Sequence, residues 1–203
     1  MFKLKSVFLL SSAIALSQVV FAQSDPASQK AKTPVDYVNP YMGNISHLLV
    51  PTFPTVHLPN SMLRVYPERN DFTTDQLRGL PLVVTSHRGR SAFNLSPVNS
   101  QQQESWKNVY PYAYDNEEIK PYYYGVSLLD EQIDVQYAPS HQSGIYALNF
   151  LLGKDKSVVF NSGSGSVQVK GNSITASQQL QNNTTVYLYG EFDQKVTASG
   201  ILE

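Results

Sequence analysis

The chain has 203 residues, with 15 Lys and Arg against 16 Asp and Glu, a formal net charge of −1, and no cysteine. That balance excludes a polyanion binder, which needs a concentrated basic face, and so nucleic acid is not an expected partner. The missing thiols exclude a disulfide scaffold and any thiolate metal site, so stability must come from a packed core.

Residues 1–22 have the three parts of a signal peptide: Lys3 and Lys5, an apolar stretch over 6–20, and the small-residue site Val20-Phe21-Ala22. The apolar run is broken by serines and is too short for a stable span, which takes about 20 apolar residues. No cysteine follows, which excludes a lipid anchor. The expectation is export to the periplasm or medium, cleavage after Ala22, and no membrane association. Loss of Lys3 and Lys5 with the leader leaves 13 basic against 16 acidic groups. Residues 23–35 lack periodicity and read as a flexible leader, and 36–203 as one domain.

The stretch Val38-Asn-Pro-Tyr-Met-Gly-Asn44 and the run from Thr52-Phe53-Pro54 to Pro67-Glu68 are dense in proline and polar turn formers. Loops that rigid, and that rich in His, Arg and Tyr, position something. Short apolar runs at 62–66, 80–85 and 92–95 predict strands joined by long connections. Segments 122–129 and 132–137 alternate around Asp130-Glu131 and predict a hairpin. Further strands are predicted at 143–151, 157–161, 166–170, 173–178 and 184–192, with Gly171-Asn172 as a turn. With no helical stripe anywhere, the pattern predicts an all-β, antiparallel β-sandwich.

No complete catalytic set is visible. The acids Glu68, Asp71, Asp75, Asp115, Glu117 and Glu118 are placed in loops and read as solvated carboxylates. His47, His57, His87 and His141 lack metal-ligand spacing, and no acidic run resembles a calcium loop. No metal or other cofactor is therefore expected in this chain. The turn Ser86-His87-Arg88-Gly89-Arg90 is rich in donors that can serve sugar hydroxyls or cap strand ends. Trp106 stands alone in a polar loop. The tyrosines between 110 and 124 fit strand formers packed across a sheet better than a sugar-stacking platform.

The motif at 38–44, the Thr52-Phe53-Pro54 step and the following Pro59-to-Glu68 stretch resemble the opening of the family 92 glycoside hydrolases, calcium-dependent exo-acting α-mannosidases. Thr55 stands where the family has glycine, and Asn60-Ser61-Met62 where it has Phe-Gly-Met. Gly79, His87 and Gly89 match a later family segment. The resemblance implies an N-terminal sandwich of the galactose-mutarotase-like supersandwich type, incomplete at Glu203, whose loops help recognise an α-mannoside-like glycan. It also implies a helical catalytic domain as partner, supplying acid, base and Ca2+ ligands. On that basis the chain by itself is expected to be a fragment without hydrolytic activity. His47, His57, Arg64, His87, Arg88 and Trp106 are the candidate substrate-binding residues. The alternatives are a stand-alone carbohydrate-binding sandwich that uses Trp106 and the tyrosines, and a structural surface domain with no sugar site.

Overall fold

The computed structural model describes residues 31–44, 52–69, 74–85, 91–99, 111–152 and 156–201. The stretch read as a signal peptide and most of that read as a leader lie outside them, as do His47, His87, Arg88 and Trp106. The described residues from Thr33 onward belong to one compact unit, Thr33–Glu203. Its described residues form thirteen strands and two 3-10 turns, with no α-helix among them.

Five strands make the largest sheet, in the order β3-β6-β7-β8-β9: Gln76–Leu77, Tyr112–Lys120, Tyr123–Leu128, Ile133–Pro139 and Gly144–Phe150. A second sheet orders β10 (Ser157–Asn161), β5 (Ser91–Val98) and β4 (Leu80–Val84). A third joins β11 (Gly165–Lys170), β12 (Ser173–Gln179) and β13 (Thr185–Glu191), and β1 (Val56–His57) with β2 (Arg64–Val65) forms a short ribbon. Every pairing is antiparallel, and β6 to β9 run as a meander of neighbours.

The predicted strands from 122 to 192 all form, within one or two residues of their expected ends. The sequence reading missed β6, whose Tyr-rich N-terminal half runs into an acidic stretch. Asp115, Glu117 and Glu118 therefore lie on a strand rather than in loops.

The second sheet is packed on both faces. One core joins Leu80 and Leu95 to Tyr112, Tyr124, Val126, Leu128, Ile133, Val135 and Tyr137 of the five-stranded sheet. The other joins Ala92 and Phe93 to Ala176, with Phe160 and Leu188 against them. This explains why β5 is buried along nearly its whole length instead of at alternate positions. Strand alternation would put Phe93 on the same side as Leu95, in the first core. Phe93 instead adopts φ +58° and turns into the second. Its amide donates to Gln178 Oε1 of β12 at 2.8 Å, and its ring meets Phe160 at 5.7 Å. Such a conformation in a bulky residue is costly and persists only where the surroundings enforce it.

Polar bonds join the layers as well. Tyr112 donates to the Pro97 carbonyl and Tyr146 to the Pro81 carbonyl, each at 2.8 Å. These tyrosines are thus cross-layer fasteners, and Tyr112 and Tyr124 have no exposed ring to offer a sugar. Asn94 is buried and donates to Glu68 Oε2 at 2.9 Å, where Ser91 Oγ also donates at 2.9 Å. Gly79 makes room for it: φ is +83°, and a Cβ there would lie 2.1 Å from Asn94 Oδ1.

Burial raises the Tyr137 phenol from 10.0 to about 12. The folded state thus favours the neutral form, so this stabilisation is complete below pH 10 and is lost as pH rises towards 12. Urea midpoints measured across that window should fall steeply for the wild type and less steeply for Tyr137→Phe.

Candidate functional site

The motif loop begins at the first 3-10 turn, Pro34–Tyr37, whose Asp36 carboxylate accepts from the Thr33 amide (2.7 Å) and hydroxyl (2.8 Å). These bonds, led by the backbone one, hold Asp36 below the ordinary carboxylate value, and Tyr122 at the β6–β7 turn donates to its other oxygen at 3.0 Å. The next turn is built by Asn39, whose side-chain oxygen accepts from the Tyr41 amide at 3.0 Å and whose carbonyl accepts from Met42. Gly43, at φ +83°, reverses the chain and accepts from the Thr52 amide at 3.0 Å. That bond brings the two halves of the motif together.

Between them lies a cleft of about 310 Å³, lined on the first half by Asn39, Pro40 and Met42 and on the second by Thr52 and Phe53. Arg64 and Tyr66, from β2 and the residue after it, complete it. The Phe53 and Tyr66 rings stack 4.8 Å apart and 5° from parallel. Arg64 Nε and Asn44 Oδ1 are buried without a hydrogen-bond partner among the described residues. The cleft thus brings together the Arg64 guanidinium, the Phe53 ring stacked on the buried Tyr66, and several side-chain hydroxyl and amide groups. Such a set suits a polyhydroxylated ring.

Of the sequence candidates, the structure brings Arg64 to the cleft. His57 pairs with Arg64 across the ribbon but is exposed and does not line the cleft; its Nε2 lies 3.3 Å from the Ser61 carbonyl. His47, His87, Arg88 and Trp106 lie outside the described residues. Among the described residues, no three His, Cys, Asp or Glu side chains gather into a metal-holding group. No described helix is long and apolar enough to cross a membrane.

Behind the loop lies a cluster the sequence reading missed. Arg69 Nη2 forms an ion pair with Glu117 Oε1, the two side chains being 6% and 10% exposed. Arg69 Nη1 donates to Tyr114 at 2.8 Å, and the guanidinium lies 5.0 Å from the centre of that ring. Tyr124 donates to Glu117 Oε1, and Tyr41 of the motif loop to Oε2, each at 3.4 Å. Burial opposes the charge on Arg69, but the hydrogen bond and charge of Glu117 outweigh it and the net shift is upward. Burial, reinforced by Glu117, also raises Tyr41 and Tyr124 far above the ordinary phenol value, which keeps both as donors.

A β-bulge creates this arrangement. The β6–β7 register slips between Asp115 and Glu118, and Asn116 takes φ +53°. The slip turns Glu117 inward, as bulges do when they re-aim a side chain. Its signal was present in the sequence: inward positions fall at 112 and 114, then at 117 and 119, a shift of one residue in a period-two pattern.

Comparison with known proteins adds the following. Residues 37–203 match the glycosyl hydrolase family 92 N-terminal domain. Similar solved structures include two of a family GH92 α-mannosidase from Bacteroides thetaiotaomicron, one of them in complex with mannoimidazole. Each has a TM-score of 0.67 and 18% identity, over 80% of this chain and 26% of the other. This chain therefore spans about a quarter of the length of those structures. Comparison with curated proteins returns no match.

Removing one partner of a buried ion pair leaves the other charge uncompensated, a loss of about 3–5 kcal/mol. Glu117→Leu should lose about that much in urea unfolding, and the double variant Arg69→Met with Glu117→Leu should recover most of it.

Proposed function

Because the chain belongs to the glycosyl hydrolase family 92 N-terminal domains, we propose that it is the substrate-recognising sandwich of an exported glycoside hydrolase of the α-mannosidase type. The observation that carries this reading is the position of the cleft. It is formed by the two motif halves, 39–44 and 52–55, that resemble the family, and it holds Arg64 with a buried, unpartnered Nε.

In this reading Arg64 donates to sugar hydroxyls, and Phe53, stacked on the buried Tyr66, supplies aromatic surface. Asn39 and Thr52 give orientation, because polar groups in a small site fix the pose of a ligand that apolar contact merely holds. His47, His57, His87, Arg88 and Trp106 remain proposed contacts. Acid, base and calcium belong to a helical partner domain, so this chain binds without cleaving. The basic, apolar and small-residue parts of 1–22 support export, with cleavage after Ala22. A stand-alone sugar-binding module built on the tyrosine cluster is less well supported, because Tyr112 and Tyr124 are buried in the core.

Titration of the purified chain with methyl α-mannoside, followed by NMR, tests the reading. The wild type should bind saturably and release no mannose from an aryl α-mannoside. Arg64→Met should weaken binding by about tenfold or more, the effect of one lost charged hydrogen bond, at an unchanged unfolding midpoint. Unaltered binding in Arg64→Met would exclude the cleft.

A further inference from the structure

We infer that Tyr41, Glu117 and Arg69 are positioning residues for the cleft, although none of them lines it; the inference rests on the reading of that cleft as a ligand site. Pro40 and Met42 line the cleft, while Tyr41 between them does not, and its hydroxyl instead reaches Glu117 at 3.4 Å. Holding the Tyr41 side chain therefore restrains the backbone that carries the cleft residues on either side of it. The acceptor is well fixed. Glu117 is turned inward by the bulge in β6, paired with buried Arg69, and bonded by Tyr124.

A second pin works in parallel. Tyr122, in the turn that follows β6, donates to Asp36 at 3.0 Å. The segment 33–44 is thus held against β6 and its turn at two points, one on each side of the 37–40 bend. Within the loop, Asn39 and Gly43 supply curvature. The pins supply its location relative to Arg64 and Tyr66, which arrive from a separate part of the chain. Arg69 closes the arrangement, because it lies five residues after Arg64 in the same stretch. One buried pair therefore ties both walls of the cleft, residues 39–42 and residues 64–66, to the same strand.

The test uses the full chain, with Tyr41→Phe as the principal variant because it keeps the ring and removes the hydroxyl alone. Two readings are taken, amide exchange at Met42 and Asn44, and affinity for methyl α-mannoside. Amides of β7 and β8 serve as the control for global stability. The Met42 and Asn44 amides should exchange about fivefold faster in Tyr41→Phe, the factor expected of one hydrogen bond, while β7 and β8 stay unchanged. Mannoside affinity should fall by a similar factor. Unchanged exchange at Met42 and Asn44 overturns the inference, whether or not the sugar binds. Faster exchange with undiminished affinity also overturns it, since the loop would then move without consequence for the ligand. If the wild type fails to bind mannoside, the sugar reading falls by itself, and the exchange data alone decide whether the tether exists.

Discussion

The buried pair of Arg69 and Glu117 is the interaction on which the organisation of this domain turns. Two opposite charges removed from water are tolerated only when each is met by its partner and by further donors or acceptors. Tyr41, Tyr114 and Tyr124 supply most of that complement, and they come from the motif loop, β6 and β7. The pair thus dictates where three separate parts of the chain must lie. It also accounts for the bulge in β6, since a regular strand would present Glu117 to solvent and leave Arg69 without a counter-charge.

The stretch from Arg64 to Arg69 carries this constraint to the cleft. Arg64 and Tyr66 line the cleft, Val65 is buried in the first core, Glu68 bonds Asn94 and Ser91 of β5, and Arg69 meets Glu117. Six consecutive residues therefore reach the candidate site, the core, the second sheet and the five-stranded sheet. Alternation along an extended chain makes this possible, because successive side chains point opposite ways. The two motif halves look like separate loops in the sequence. In space they share a wall with this stretch, and their common support lies in residues far along the chain.

The strands β7 to β9 and the third sheet were legible in the sequence, because alternating apolar residues and turn signals such as Gly171-Asn172 act locally. Arg64 was legible as a candidate for a similar reason, since it lies in a stretch whose composition no plain connector needs, and the structure puts it at the cleft. The strand β6 was not, because its three acids, Asp115, Glu117 and Glu118, mimic a solvated loop, and only the one-residue phase shift from Tyr114 to Glu117 betrays a bulge. The tether from Tyr41 to Glu117 was invisible, as it joins residues 76 positions apart. The double burial of β5 was equally hidden. A short apolar run at 92–95 says nothing of two cores, and Phe93 owes its direction to a left-handed backbone that no residue preference foretells.

The pairing of β5 with β10 has a bearing on how this chain acquires its structure. Residues 99–156 intervene between the two strands, and they contain the whole β6–β9 meander. Hairpins of sequential neighbours close short loops and form early, whereas distant strand pairs wait on a larger entropic cost. Loop-closure entropy therefore favours pairing of β6 to β9 ahead of β5 with β10, and a formed meander shortens the effective loop that β10 has to close. The second core, with Phe93 in its unusual conformation, is completed after that closure, because Phe160 arrives with β10 and Gln178 with the strands beyond it. The loop-bearing N-terminal segment emerges first during synthesis, yet it docks only once β6 and its bulge exist to receive it.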